Sequence, residues 1–487
     1  MNTMFKLMIF LVVLAFFALP LHGVQSAVSS DPNPVAQYPW TIETVISDIQ
    51  TDSIAVAYGG SDHYPLITYV NSGGYTRLIM PAISREGNCG SGNRWYCWYK
   101  DQDFAPWSAS PMAVYHFQNS FKVGWVYYNS STNEYYLREE EYRDNLENLN
   151  NTTITKVLDP DIYNTPPQNW VLIGVPSLTY DAYGNAHIAM VLRFSSFSKL
   201  VYAYEKTSGA PNPACNHESD TKFQCDLIQD IQDVDYLLSP VYRLILNASN
   251  APRILYYTLK GTSQDCVAKL MYAYPYSSSF YPHTNCGPEN ASGVHTWRCI
   301  TMLDSSSEWN LGEFTEIPKF EMAIAPGNLN PRMAVKAKKD NGANYLLDIE
   351  YVGQNGNCGL DWNFTQQMNR WNCHGRIIDS RPNYPYMSFD IAVDKYDYPI
   401  MPVGHAHYED YIHLWLTYPE DRLHTGSPGQ WVWEELDGRD IDTAYAIDFT
   451  LSDTGLGLIG YIEKEDYNNK LKIAYQKVSA YMPLIIR

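Results

Sequence analysis

The sequence predicts an all-β fold, a seven-bladed β-propeller of four-stranded blades whose ring is closed by the N-terminal strand. Short runs rich in Val, Ile, Tyr, Thr and Phe alternate with Gly, Asn, Asp, Ser and Pro, which is typical of strands joined by turns. A strand, turn, strand unit recurs seven times, and most units continue into a third and a fourth strand. The seventh unit lacks its fourth strand, and a segment of that type precedes the first unit.

The composition limits the classes of protein that the chain can belong to. The 487 residues carry a formal net charge of −19, with 45% hydrophobic and 18% charged side chains. A chain this apolar is expected to fold, and its negative charge, with no long Lys/Arg run, argues against nucleic-acid binding.

Residues 1–26 are predicted to be a secretory signal peptide. Lys6 precedes an apolar run over residues 7–21, and the small residues Val24 and Ser26 follow where a peptidase could cut. A membrane anchor is the alternative, but the run is shorter than the ~20 residues that a spanning helix needs. Residues 27–487 are therefore predicted to form a single secreted, extracellular domain with no membrane span.

The repeats define the blades. The residues taken to precede each turn are 58 to 78 positions apart: Ala57, His116, Asp181, Asn247, Ala325, Asp394 and Ser452. Fourth strands carry an aromatic residue near the start and usually end on Asp, as in the segment ending at Asp304. Because a closed ring leaves no open sheet edge, the similar segment from Trp40 is assigned to the seventh blade. Two stacked β-sandwich domains are the alternative, but they do not explain the four-strand period. Residues 138–153, rich in Glu and Asn, are predicted to be an inserted loop.

Eight of the nine cysteines form close pairs in the sequence: Cys89 with Cys97, Cys215 with Cys225, Cys286 with Cys299, and Cys358 with Cys373. The pairs are separated by 8 to 15 residues, which suits disulfides across the loops between third and fourth strands. Zinc is the alternative, but the Cys-x-x-Cys spacing of many zinc sites is absent. Cys266 is left over, and burial, capping and an intermolecular disulfide all stay open for it.

Six Asn-x-Ser/Thr sequons are predicted to lie in turns or loops, where glycosylation requires them to be. These are Asn129, Asn150, Asn151, Asn247, Asn290 and Asn363.

The loops between second and third strands are predicted to share one face with the loops that join successive blades, and a ligand site is expected there. The candidate ligand-binding residues are Tyr128, Arg193, His405, His407, Tyr408 and Glu409. His405 and His407 would point to the same side of an extended strand, where they could bind a metal or act as a base and its orienting group. Two polar histidines on an exposed loop are the alternative.

No cofactor or metal site is predicted, but calcium stays open as a ligand. Calcium requires several oxygen ligands at loop spacing, and the run containing Asp230, Asp233 and Asp235 comes nearest to that pattern.

The segment YDAYGNAHIAMV at residues 180–191, followed by KLVYAY at 199–204, resembles the repeats of secreted sialidase-like propellers. Their blades contain a strand, an Asp-x-x-Gly turn, a second strand and a strand bearing Tyr-Ala. The resemblance covers the third blade well and the others loosely. The Phe/Tyr-Arg-Ile-Pro motif and the Ser-x-Asp-x-Gly-x-x-Trp boxes of sialidases are absent, so the resemblance implies the fold and no catalytic residues.

Three functional hypotheses follow. The first is a secreted binding propeller that recognises extracellular glycans or protein surfaces. The second is a carbohydrate-active enzyme, a polysaccharide lyase or glycoside hydrolase, with its site on the loop face. The third is a structural matrix or coat component whose chains are joined through Cys266. No catalytic motif is recognisable, so the sequence leaves enzymatic activity open.

Overall fold

The structure is a computed structural model. It describes these residues: 39–47, 49, 51, 54–59, 64–70, 76–81, 86–100, 113–117, 120–129, 134–143, 148–158, 171–193, 198–206, 222–232, 242–260, 267–276, 285–289, 293–304, 309–310, 319–327, 330–339, 344–363, 366–379, 387–407, 411–420, 430–437, 443–452, 454–465 and 468–476. The predicted signal peptide, Cys215, Cys266, Asn290, Tyr408 and Glu409 lie outside them.

The strands form antiparallel four-stranded meanders. An N-terminal strand, β1 (Trp40–Ser47), comes first. The first meander contains β2 (Ile54–Gly59), β3 (Tyr64–Val70), β4 (Thr76–Pro81) and β5 (Trp95–Lys100). The second contains β6 (Ala113–Phe117), β7 (Ser120–Asn129), β8 (Glu134–Arg143) and β9 (Asn148–Leu158). The third contains β10 (Val171–Tyr180), β11 (Ala186–Arg193), β12 (Ser198–Glu205) and β13 (Phe223–Gln232).

The later meanders carry additional short strands. The fourth contains β14 (Tyr242–Leu246), β15 (Pro252–Lys260), β16 (Val267–Pro275), the short β17 (Cys286–Glu289) and β18 (His295–Asp304). The fifth contains the short β19 (Trp309–Asn310), β20 (Phe320–Ile324), β21 (Pro331–Lys339), β22 (Asn344–Tyr351), the short β23 (Cys358–Asn363) and β24 (Gln366–Asp379). In the sixth, the first strand is divided into β25 (Met387–Phe389) and β26 (Ala392–Val393), followed by β27 (Pro399–His407), β28 (Tyr411–Pro419) and β29 (Trp431–Asp437).

The N-terminal strand completes the last meander, as predicted. The seventh meander contains β30 (Thr443–Leu451), β31 (Gly457–Glu465) and β32 (Asn468–Gln476), and β1 is its fourth strand. The pairing is antiparallel and runs from Trp40 opposite Gln476 to Ser47 opposite Lys470. The all-β class and the four-stranded sheets of a propeller are therefore confirmed.

The first strands of successive meanders contact one another in chain order: β2 with β6, β6 with β10, β10 with β14, β14 with β20, β20 with β26, β26 with β30, and β30 with β2. The last of these contacts joins the two ends of the chain. The described first strands thus contact one another in a cyclic order, and the count of seven blades and the closure of the ring stay predictions.

The hydrophobic core is divided between the meanders. Alternating side chains on each strand point to opposite faces of a sheet, so each meander can bury one face against the meander before it and the other against the meander after it. Each cluster of buried apolar side chains combines residues of two successive meanders. One cluster joins the seventh meander to the first and includes Leu458, Ile473, Val56 and Ile67. None of the described segments forms a helix with the length and apolar character needed to cross a membrane.

The prediction of an inserted loop at residues 138–153 is wrong, because β8 and β9 extend through most of this stretch as a hairpin. Its acidic side chains find partners on strands instead of facing only solvent. The carboxylate of Glu139 lies 3.2 Å from the Lys122 ammonium, and Glu140 lies 2.9 Å from the Arg138 guanidinium.

The first two turns begin later than predicted. Ala57 and His116 were predicted to precede these turns, but the first strands of the first two meanders continue to Gly59 and Phe117.

Several sequons lie on strands and not in loops. Asn129 and Asn363 end β7 and β23, and Asn150 and Asn151 lie on β9. Asn247 lies in a turn, where its side-chain oxygen accepts hydrogen bonds from the N–H groups of Ser249 and Ala251.

Three predicted disulfides are confirmed: Cys89–Cys97, Cys286–Cys299 and Cys358–Cys373. Cys225 is also disulfide-bonded, and its predicted partner Cys215 lies outside the described residues.

These disulfides belong to an Asn-Cys-Gly and Trp-x-Cys pattern that occurs in meanders one, four and five. In the fourth, the Asn285 side chain donates to the Cys299 carbonyl (2.9 Å) and accepts from the Cys299 N–H (2.8 Å). Gly287 has a φ of +78°, and a Cβ there would lie 2.4 Å from the Trp297 ring. The glycine is therefore required both by the left-handed backbone and by the close approach of the indole.

Candidate functional site

The residues predicted to bind a ligand lie on second strands. Tyr128 is on β7 opposite Tyr135, and Arg193 ends β11 opposite Ser198. His405 and His407 are on β27, so their predicted placement two residues apart on one extended strand holds. The structure does not describe these four side chains, and their convergence on one site stays a prediction.

A different set of polar side chains lies on the first strands of meanders three to seven. Each lies four residues before the residue that precedes the turn of its unit. The five residues are Ser177, Arg243, Glu321, Asp390 and Asp448. We refer to Arg243, Glu321, Asp390 and Asp448 as the first-strand cluster. Because these strands contact one another in order, the cluster spans four successive meanders.

Hydrogen bonds from these positions cross from one meander to the next. The Ser177 hydroxyl accepts the Leu244 N–H at 3.0 Å, and the Arg243 guanidinium donates to both carboxylate oxygens of Glu321. Asp390 Oδ2 accepts the Phe449 N–H at 2.6 Å. Asp448 Oδ2 accepts the Val56 N–H at 2.6 Å and thereby joins the seventh meander to the first.

Arg243 and Glu321 form the charged centre of the cluster. Burial opposes the charge on Arg243, but Glu321, with smaller contributions from Asp390 and Asp448, more than offsets burial and raises the pKa of the guanidinium. The Arg243 side chain is still 37% exposed and that of Glu321 is 19% exposed. Both side chains are therefore partly exposed to solvent.

The carboxyl groups of Asp390 and Asp448 have raised pKa values. Burial and the adjacent Asp448 raise the pKa of Asp390 well above its usual range. Burial raises the pKa of Asp448 to about 6, although hydrogen bonds from the Val56 N–H and from Asp390 act in the opposite direction. Two carboxyl groups this close favour a state in which they share one proton. The cluster therefore combines an arginine-bound carboxylate with a carboxyl group that can donate a proton near neutral pH.

Metal binding receives no support from the part of the chain that the structure describes. There, no three His, Cys, Asp or Glu side chains are placed to hold a metal ion. Asp233 and Asp235, part of the run considered for calcium, lie outside it.

A second polar contact lies next to the predicted histidines. His413 on β28 is directly opposite His405, and its ring nitrogen Nδ1 contacts the Glu435 carboxylate on β29. The His413 side chain is 22% exposed. Sequence reasoning missed both this pair and the first-strand cluster.

Comparisons with known proteins give similarities of structure only. No protein-family model matches the sequence, and no curated protein matches it significantly. Similar solved structures include AofleA from Arthrobotrys oligospora, with a TM-score of 0.38 and 10% identity over 82% of this chain and 93% of that chain. The α-L-arabinofuranosidase Arb93a from Fusarium graminearum has a TM-score of 0.39 and 10% identity, covering 90% of this chain and 98% of its own. The Trypanosoma rangeli sialidase has a TM-score of 0.32 and 10% identity, covering 89% and 59%.

The resemblance to sialidase-like propellers is thus one of fold only, and nothing about activity follows from these low scores. The blade assignment rests on the strand pairings.

Proposed function

We propose that this chain is an extracellular protein that binds glycans, with the first-strand cluster as the polar part of its binding site. The observation that carries the proposal is the set of four charged or protonatable side chains that meet across successive first strands. Guanidinium and carboxyl groups together offer donors and acceptors to sugar hydroxyls, and a binding site needs a few such groups at fixed positions. The accessibility of Arg243 and Glu321 supports this role.

Secretion is part of the proposal. Its supports are the predicted signal peptide and the disulfides, which persist mainly in oxidising compartments. Expression of the full chain in a secreting host, followed by N-terminal sequencing, should give a mature protein that starts near Ala27. Retention of residues 1–26 on a cell-associated protein would contradict it.

The binding proposal is tested by screening the mature protein on a glycan array and titrating the glycans that bind. Glu321→Gln keeps the size of the side chain and removes its charge. We expect affinity to fall by about 10- to 150-fold, because a hydrogen bond to a charged group contributes ~1.5–3 kcal/mol. Arg332→Gln is the matched control: Arg332 is also ion-paired, 2.7 Å from Asp348, but lies outside the cluster. Arg332→Gln should bind like the parent protein. The proposal fails if no glycan binds, if Glu321→Gln binds like the parent protein, or if both variants lose affinity equally.

Hydrolysis of a glycosidic bond is a second candidate function, favoured specifically by the raised pKa values of Asp390 and Asp448. A carboxyl group of this pair would protonate the glycosidic oxygen as the bond to the anomeric carbon breaks. Water would attack that carbon, and the Glu321 carboxylate would accept the proton that the water loses. Two carboxyl groups in acid and base roles are the usual requirement of such hydrolysis.

The two functions are separated by an assay for reducing ends on a panel of polysaccharides. Hydrolysis predicts release of reducing ends by the parent protein and at least a ~100-fold lower rate in Asp390→Asn, since general acid catalysis contributes about 10²–10⁴-fold. Glycan binding without any release of reducing ends would support the binding function and contradict the hydrolytic one.

A further inference from the structure

The second meander has an exposed edge. Its fourth strand, β9, is the last strand of its sheet, and no other described strand pairs with its outer side. Val157 and Leu158 at the end of β9 are fully buried in the core, but residues 151–154 are all exposed, and Ile154 is 48% exposed. We refer to residues 151–154 as the β9 edge. A strand edge of this kind offers backbone N–H and C=O groups to a strand of another chain.

The amino-acid sequence of this region favours strand pairing. Residues 148–155 read NLNNTTIT, with no charged residue and no proline. Threonine and isoleucine favour extended strands, and an uncharged edge without proline is a template on which another chain can add a strand. Folded proteins usually protect such edges with charged side chains, proline or a covering segment. The β9 edge therefore needs protection from outside its own strand.

Several other fourth strands carry protection of these kinds. The short strands β17 and β23 pair with β18 and β24 and thereby cover part of their edges. On β29, Glu434 and Glu435 supply charge, and on β1, Glu43 does so. In the part of the chain that the structure describes, the β9 edge has neither a covering strand nor a charged residue.

A glycosylation sequon lies at the start of the β9 edge, where Asn151 is followed by Thr152 and Thr153. The register is irregular up to this point: residues 149–151 lie opposite Glu141 alone, and regular pairing with β8 begins at Thr152. In an exposed contact, Asn151 Nδ2 donates to the Glu141 carboxylate at 2.8 Å. Because an amide nitrogen carries two hydrogens, this bond leaves one hydrogen that a sugar can replace.

We propose that Asn151 carries an N-linked glycan that covers the β9 edge and prevents it from pairing with the same edge of a second copy of this chain. In the modification, Asn151 Nδ2 forms a bond to C1 of the first N-acetylglucosamine of a lipid-linked diphosphate oligosaccharide. The bond from C1 to the diphosphate oxygen breaks, the lipid diphosphate leaves with the bonding electrons, and Nδ2 loses one proton. This donor belongs to the secretory pathway, so the inference rests on the secretion that is part of the proposed function.

A second copy is the partner that fits this edge. Two identical edges can pair antiparallel about a twofold axis, and each then supplies the strand that the other lacks. Paired strands lie about 4.8 Å apart. An attached glycan is bulky and hydrated, so at the start of the regular run it keeps a second edge from approaching to this distance.

The first experiment locates the attached glycan. The chain is secreted from a host that performs N-glycosylation, digested with peptide-N-glycosidase in heavy-oxygen water and analysed by tandem mass spectrometry. The enzyme converts a glycosylated asparagine to labelled aspartate, so the label should appear at Asn151 in most of the secreted protein. A secreted protein without label at Asn151, or with label only at Asn150, would overturn the inference.

The second experiment tests what the attached glycan does. All proteins compared carry Asn150→Gln, so that on β9 only Asn151 begins a sequon. Thr153→Ala removes this sequon, and Thr153→Ser is the matched control because serine preserves it. Light scattering during size-exclusion chromatography should give the monomer mass for Thr153→Ser and at least the dimer mass for Thr153→Ala at the same concentration. Equal masses for the two variants would refute the protective role.

A third variant shows whether the association uses the β9 edge. Ile154→Lys, added to Thr153→Ala, places a lysine on the edge and should restore the monomer mass, because lysine is typical of protected edges. Persistence of the larger species would mean that the chains associate elsewhere, and would overturn the assignment of β9. These outcomes are separate from the glycan array. A secreted protein that binds glycans and has an unmodified Asn151 keeps the proposed function and refutes this inference, and a modified monomer that binds no glycan does the reverse.

Discussion

The Asp390–Asp448 pair should make the folded protein less stable at neutral pH than at mildly acidic pH. Burial raises the pKa of Asp448 from 3.8 to about 6, so the folded state binds a proton more tightly than the unfolded chain does. The stabilising contribution of this proton is complete below the unfolded value and is lost as the pH rises through the folded value. A difference of about two pKa units corresponds to roughly 3 kcal/mol, at 1.36 kcal/mol per unit.

Asp448→Asn isolates this contribution. The amide oxygen can still accept the hydrogen bond from the Val56 N–H, but the side chain can no longer ionise. We expect the free energy of unfolding near pH 8 to rise by up to about 3 kcal/mol relative to the parent, with little gain near pH 4. Denaturant unfolding of both proteins across this range, at constant ionic strength, measures the difference.

Asp394→Asn is the matched control. Asp394 lies four residues beyond Asp390 and accepts hydrogen bonds from the Tyr396 and Tyr398 N–H groups, and asparagine suits such a turn equally well. The change in the free energy of unfolding that Asp394→Asn causes should be similar at pH 4 and pH 8. A parent protein whose unfolding free energy differs from that of Asp448→Asn by the same amount at pH 4 and pH 8 would refute the reasoning.

Two further predictions concern the Asn-Cys-Gly and Trp-x-Cys pattern. Asn285→Ala removes both hydrogen bonds to Cys299 and should lower the free energy of unfolding by about 2 kcal/mol in denaturant titrations, whereas Asn285→Asp, which keeps the acceptor for the Cys299 N–H, should lose less. Trp297→Phe removes the indole N–H that donates to Asp226 at 2.9 Å. Burial already raises the pKa of Asp226 and the indole bond opposes that rise, so NMR titration of the variant should show a higher value; an unchanged titration would contradict the assignment.

The architecture was largely predictable because repeated strands leave a regular pattern. The hydrophobic alternation and turn residues located the strands of meanders three to seven, and the displaced fourth strand at Trp40 indicated which strands pair at the ends of the chain. The inserted loop was predicted wrongly because a high Glu content was taken to mean solvent exposure. On β8, Glu139 and Glu140 are instead buried and paired with Lys122 and Arg138.

The first-strand cluster was not predicted, although a signal was present. Arg243, Glu321, Asp390 and Asp448 each interrupt an apolar strand four residues before its turn, which becomes visible only when the units are aligned by their turns. Their proximity depends on contacts between strands about 60 to 80 residues apart, and no local pattern determines these contacts. Sequence reasoning searched the loops instead, because binding residues are concentrated there in many folds.

The chemistry of the cluster argues that it is more than a set of links between meanders. Ser177 accepts the N–H of the next first strand with a neutral hydroxyl, so the link itself requires no charge. Asp390 and Asp448 make the same kind of link with buried carboxyl groups. Because their pKa values are raised, ionisation of these groups lowers the free energy of unfolding at neutral pH. Serine or asparagine could make these bonds without that cost. Residues that destabilise the fold while adding no unique contact are typical of functional sites, where stability is given up for chemistry.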